Sequence, residues 1–130
     1  MGYPLLLHPR VRTSDVPTVG VEEGLSDEER LELRSELVRL LARIEGEPRV
    51  GRPTRYRRGY EILADCHSLP FDLADWKGKD RFRIVYKIDP SIEAVDRVLV
   101  YAVGPRGPGL EVYRRARKRR QQSDWPVKAG

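Results

Sequence analysis

Apolar residues recur along this chain at distinct spacings, and each spacing predicts an element. Leu33, Leu37, Leu40, Leu41 and Ile44 fall on one face of a helix, with Glu32, Arg34, Glu36, Arg39 and Arg43 on the other. Ser26 followed by Glu29 is a capping box, and Asp27 and Glu28 sit in the first turn, where the helix dipole favours negative charge. Gly46 and Pro48 stop this helix near Glu45. Phe82, Ile84, Tyr86 and Ile88 alternate with Arg83, Val85 and Lys87, which predicts a strand with one buried and one polar-tending face. Val98, Val100 and Ala102 interleave with Leu99, Tyr101 and Val103, and so continuous an apolar run predicts a central strand buried on both faces.

Weaker signals fill the rest. Pro4 to His8 reads as a first strand closed by Pro9, and Arg10 to Gly24 as a connecting segment with a short helical turn. A further strand falls at Tyr60 to Leu63 or at Cys66 to Phe71. Trp76 to Asp80 is a turn, Asp89-Pro90-Ser91 breaks the strand before it, and Gly104 to Gly109 is a corner poor in side chains. Leu110 to Gln122 reads as a helix, and Ser123 to Gly130 as a frayed tail after a single domain at 1–122. The order predicts an α+β fold in two layers: an N-terminal strand and helix, then an antiparallel sheet and a C-terminal helix.

Composition adds a partner class. Of 130 residues, 25 are Lys or Arg and 20 Asp or Glu, a net charge of +5. The balance favours a polyanionic partner. Five arginines crowd the loop at positions 49, 52, 55, 57 and 58, and Arg114 to Arg120 contains one uncharged residue, Ala116. Cys66 is the single cysteine, so no internal disulfide can form; a reducing, cytoplasmic setting and a small buried hydrophobe are the expectations. No apolar run reaches the length of a membrane span.

The sequence contains no GxxxxGK[ST] loop, no GxGxxG, no HExxH and no GxSxG elbow. His8 and His67 are the only histidines. Neither a metal nor a cofactor is therefore expected. What remains is arginine, whose planar fork gives paired, permanently charged donors to phosphate oxygens.

Three segments together resemble a known family. Trp76-Lys77-Gly78-Lys79-Asp80-Arg81-Phe82-Arg83-Ile84-Val85-Tyr86-Lys87-Ile88, Val98-Leu99-Val100-Tyr101-Ala102-Val103-Gly104-Pro105-Arg106 and Leu110-Glu111-Val112-Tyr113-Arg114-Arg115-Ala116 resemble the closing strands and helix of the RelE/ParE toxin superfamily. Leu63 to Asp72, Leu7-His8-Pro9 and Asp15-Val16-Pro17 are similar to its actinobacterial members.

The resemblance implies a RelE-like fold and the toxin of a type II toxin–antitoxin pair. It implies an endoribonuclease on mRNA, working on the ribosome without a metal, with Arg83 and Arg106 on the scissile phosphate and Tyr113 stacking on a nucleotide or assisting proton transfer. RNA-cleaving members place basic residues on the strand before Arg83; here that region offers His67, with Lys77 and Lys79 in the turn. His67 is thus a candidate base, though it also reads as an ordinary surface or hydrogen-bonded residue. Lys77, Lys79, Arg81, Arg114 and Arg117 are candidate RNA contacts, or simply solvated cations. The implied partners are a cognate antitoxin, mRNA and the ribosome. The ParE branch of the same fold binds DNA gyrase instead, and an inactive homologue serving as an interaction module is a third reading.

Overall fold

Ser26 and Glu29 form the capping box reciprocally, the Ser26 Oγ accepting from the Glu29 amide at 3.1 Å and the Glu29 carboxylate accepting from the Ser26 amide at 2.9 Å. They start the longest helix of the computed structural model, which describes residues 2–54, 58–122 and 125–126. Arg55 and Arg57 of the predicted arginine loop, and most of the predicted tail, lie outside the described residues.

In chain order the elements are β1 (Leu5–Leu7), a π-helical turn (Val11–Asp15) running into α1 (Val16–Thr18), α2 (Asp27–Gly46), the two-residue β2 (Arg52–Pro53), β3 (Cys66–Phe71), β4 (Phe82–Pro90), β5 (Val95–Pro105) and α3 (Glu111–Gln121). The fold is α+β. Of the two positions predicted for the strand after the arginine loop, the structure uses Cys66–Phe71; Glu61–Leu63 is a 3₁₀ turn. The sheet order is β1-β5-β4-β3-β2. β3 to β5 pair antiparallel as predicted; β2, within the segment read as a loop, also pairs antiparallel with β3, and β1 lies parallel to β5, so the sheet is mixed.

The predicted two layers become three. Leu33, Leu37, Leu40 and Ile44 of α2 pack on Phe82, Ile84, Tyr86 and Ile88, forming a core on one face of the sheet. Val112 and Ala116 of α3 pack on Val85, Leu99, Tyr101 and Cys66, forming a smaller core on the other. The face of β4 that reads as polar-tending is therefore covered: Val85 is buried, and Lys87 is half-buried and donates to Asp89 at 2.7 Å. Cys66 is buried as expected, and burial pushes its thiol pKa up to about 12.

A bulge in β5 resets the alternation. Val85 pairs with Ala102 and Tyr86 with Val100, so Tyr101 is the extra residue, and Tyr101 and Ala102 both face α3. Trp125, within the segment predicted to fray, packs edge-on against Tyr101 and His8, each ring centroid 5.1 Å away.

The N-terminal turn is tied to α3 through a buried carboxylate. Asp15, 1% exposed, accepts from Arg119 Nη1 at 2.6 Å, Arg119 Nη2 at 2.7 Å and the Val103 amide at 2.9 Å, with Arg115 at 3.5 Å. Arg119 also donates to the Tyr101 carbonyl at 2.9 Å and Arg115 to the Val103 carbonyl at 3.0 Å. Much of the basic run of α3 is thus structural.

Candidate functional site

The start of β4, the end of β5 and the first turn of α3 meet at one end of the sheet. Phe82 pairs with Pro105, the Arg106 amide donates to the Arg81 carbonyl at 2.8 Å, and the Glu111 amide to the Arg106 carbonyl at 3.1 Å. Two left-handed residues turn the corner between them, Gly107 (φ 54) and Leu110 (φ 55). Glycine adopts this conformation freely, whereas at a leucine it costs about 1–2 kcal/mol. The turn leaves Arg106 at a cleft of about 400 Å³ that is also lined by Glu23, Lys79, Asp80, Arg81 and Pro105.

Arg106 is half-buried, and among the described residues its guanidinium has no hydrogen-bond or ion-pair partner. Its planar fork of donors is therefore left unused by the described residues. Arg83, 7% exposed, belongs to the same end of the sheet but is not among the residues that line the cleft. Its neighbours Phe82 and Ile84 point into the α2 core, so its side chain takes the α3 face, opposite Gly104 in register. Arg83 Nη1 donates to the Asp80 carbonyl at 2.6 Å and the Phe82 carbonyl at 2.9 Å. No carboxylate pairs with it among the described residues, so its charge is uncancelled by any counter-ion there.

Arg81 is a pillar of this corner. Its Nε and Nη2 grip the Asp72 carboxylate at 3.0 and 2.8 Å, and its guanidinium carbon lies 3.5 Å from the Trp76 ring centroid. The indole in turn donates to the Lys79 carbonyl at 3.0 Å. Asp72 also accepts from the amides of Leu73 and Arg81, each at 2.8 Å. Burial pushes the Asp72 carboxyl up, but the bonds from Arg81 and these amides outweigh it and hold it below the usual carboxylate range. Because the folded pKa lies below the unfolded one, this group stabilises the fold above the unfolded value and loses its contribution as pH falls through the folded one. Stability in urea should therefore fall below about pH 4, and Asp72→Asn should be less stable at pH 7 yet flatter in that range. Equal acid sensitivity of the variant and the parent would remove Asp72 from the account.

The remaining predicted contacts divide. Lys77, Lys79 and Arg114 are exposed. Arg117 is engaged away from the cleft, donating to the Gly59 carbonyl at 3.0 Å with its guanidinium 4.5 Å from the Tyr60 ring. Tyr113 is half-buried in the first turns of α3 and packs against the core beneath that helix.

The structure does not bring His67 to Arg83. His67 pairs with Tyr86 and stacks on its ring at 5.7 Å, on the α2 face of the sheet, so the whole sheet separates the two side chains. Only 4% exposed, with Nδ1 lacking a partner among the described residues, it has its pKa lowered by burial, partly opposed by Asp65. Of the readings open in the sequence (a candidate base, or a surface or hydrogen-bonded residue), burial excludes the surface one, and its face of the sheet keeps it from this cleft. The beneath-sheet packing also explains Gly51: a Cβ there would lie 2.5 Å from the Tyr86 hydroxyl, which donates to the Pro48 carbonyl at 2.6 Å.

Sequence reasoning missed Glu23, Asp72 and Asp15 as members of this region. The signal for Glu23 was its setting between Gly20 (φ 87) and Gly24 (φ 74), two left-handed positions that fix the loop before α2. Arg30 of α2 clamps that loop, its Nη2 donating to the Pro17 carbonyl at 2.7 Å. Among the described residues no group of three or more His, Cys, Asp or Glu side chains is placed to hold a metal ion, and no helix is long and apolar enough to cross a membrane. What the cleft offers is cationic donors for an anion and two carboxylates, Glu23 and Asp80. Comparison of the chain with protein-family models, curated proteins and solved structures returned no match.

Proposed function

We propose that this chain is the toxin of a type II toxin–antitoxin pair, an endoribonuclease that cuts mRNA on the ribosome without a metal. The observation that carries the reading is the state of Arg106. Arg81, Arg115, Arg119 and Arg120 are each paired with a carboxylate, whereas Arg106 faces a 400 Å³ cleft beside Lys79 with its donors unspent. Arg83, held by backbone carbonyls at the same end of the sheet, has no carboxylate partner among the described residues. These two positions coincide with the two that the RelE/ParE resemblance assigns to the phosphate, which is the second support. A site with so few acid–base groups gains most of its rate from alignment, and a ribosome that fixes the mRNA supplies it. The antitoxin is then an acidic, extended segment that covers the cleft.

RNA 5′ ends mapped in cells shortly after induction of the chain test this. New ends inside translated reading frames are the expected result. Growth arrest with no new ends would transfer the reading to a gyrase-directed toxin, and growth without arrest would point to an inactive homologue.

A further inference from the structure

Resting on that reading, we infer that Glu23 is the proton-accepting carboxylate of the cleft, the group that activates the RNA 2′-hydroxyl. The argument is one of position. Glu23 is half-buried and lines the same cleft as Arg106, Lys79 and Arg81, yet forms no ion pair with any of them among the described residues. A carboxylate kept merely to balance charge would close on the nearest guanidinium, as Asp72 does on Arg81 and Asp15 on Arg119. Glu23 is instead held apart by a loop of fixed shape, set by the left-handed glycines at 20 and 24 and by the amide bond from Leu25 to the Gly20 carbonyl at 3.1 Å. The loop shares a neighbouring pocket with Pro105 at the end of β5, and Glu23 lines both that pocket and the cleft of Arg106.

The charges around Glu23 come from every neighbouring element: Glu22 in its own loop, Lys79, Asp80 and Arg81 before β4, Arg106 after β5, and Glu111 and Arg115 from α3. Its pKa is raised, first by burial and further by Glu22 and Glu111, against lowering by its own backbone amide and by Arg81. A carboxylate so perturbed is a stronger base than a solvated one. Asp80 is the one other carboxylate residue lining this cleft among the described residues, and His67 lies across the sheet.

The step balances. The Glu23 carboxylate takes the 2′-hydroxyl proton as the 2′ oxygen bonds to phosphorus and the bond from phosphorus to the 5′ oxygen breaks. The departing oxygen takes a proton from water, and Glu23 returns its own to solvent. A 2′,3′-cyclic phosphate and a 5′-hydroxyl result, with Arg106 and Arg83 neutralising the charge that builds on the phosphate oxygens.

The test uses the full chain and a defined mRNA on purified ribosomes. Glu23→Gln, nearly isosteric and on a surface loop, should cleave about 100-fold more slowly or worse, with unchanged melting and equal or tighter ribosome binding. Glu23→Asp should recover part of the rate. In the parent the rate should fall as pH drops through the titration of Glu23, and the Gln variant should lose that limb of the profile. Cleavage by Glu23→Gln within threefold of the parent, or an unchanged acidic limb, would overturn the assignment while leaving the ribonuclease reading intact. Failure of the parent itself to cut, with gyrase inhibited instead, would overturn both.

Discussion

Replacing Asp15 with Ala is expected to destabilise the protein by about 3–5 kcal/mol, the cost of stranding a buried counter-charge. The reasoning starts from burial. Asp15 is 1% exposed and Arg119 8%, so neither charge can recover its hydration without the packing between them opening. The carboxylate takes a bidentate pair from Arg119 and a bond from the Val103 amide. Its removal leaves that amide and the Arg119 fork facing a void, with only the Tyr101 carbonyl still in reach of Nη1. For a chain of this length the loss corresponds to roughly 10–20 °C in melting temperature. Thermal melts followed by circular dichroism measure it. A fall of less than about 3 °C would mean that water replaces the carboxylate, and that α3 is held by its apolar face alone. The double variant Asp15→Ala/Arg119→Met should recover part of the loss, because it removes the orphaned cation as well.

That carboxylate also marks how far the sequence could be read. Local rules served where local energy decides the outcome. The capping box, the apolar face of α2 and the glycine after it are short-range signals, and they place that helix within a residue of its observed ends. The apolar run of β5 likewise announced a strand buried on both faces, because only a doubly covered strand tolerates so few polar side chains. Asp15 and Arg119 lie 104 positions apart, and no spacing rule links them. The same holds for the third layer. Seen alone, Arg83-Val85-Lys87 is a half-polar face; covered by α3, it becomes interior, and Arg83 is satisfied by carbonyls rather than by solvent. The bulge at Tyr101 is a further case. Val98, Val100 and Ala102 share a face in a regular strand, but one extra residue sends Ala102 to the α3 side and Val103 to the α2 side.

The candidate site divides along the same line. Arg83 and Arg106 were legible, since an arginine amid apolar alternation and another in a Gly/Pro corner are each unusual for solvation alone. His67 was not, because a one-residue difference in strand register decides which face a side chain takes, and its β3 position sends it under the sheet to Tyr86. Glu23 looked like any loop glutamate. Only the tertiary approach of the Gly20–Gly24 loop to Pro105 makes it a neighbour of Arg106. Nor does the charge run of α3 mean one thing: Arg114 is exposed, Arg117 caps a loop carbonyl, Arg119 is buried on Asp15, and Arg120 donates to Asp65 at 2.8 Å.

On the proposed ribonuclease reading, Arg106→Ala lowers the rate of mRNA cleavage on the ribosome by about 10²–10³, the effect of removing one pre-placed donor to a developing anion. Stability should stay nearly constant, because the Arg106 guanidinium has no partner among the described residues and only its backbone closes the corner. This separation makes Arg106 the cleaner probe of the pair. Arg83→Ala removes the donor to the Asp80 and Phe82 carbonyls as well, so it should cost about 1–3 kcal/mol of stability in addition to activity. Arg106→Lys retains the charge but not the planar fork, and an intermediate rate is expected if paired donation to phosphate matters. Should both arginines act on one phosphate, the double alanine variant will be slowed by less than the product of the single effects, as groups working as a unit are. Rates measured in single turnover on purified ribosomes, beside melting curves of each variant, decide the matter. An Arg106→Ala protein that melts and cleaves like the parent would leave the cleft without a function in catalysis, and would move the chemistry to exposed cations off the cleft, Lys77 and Arg114 among them.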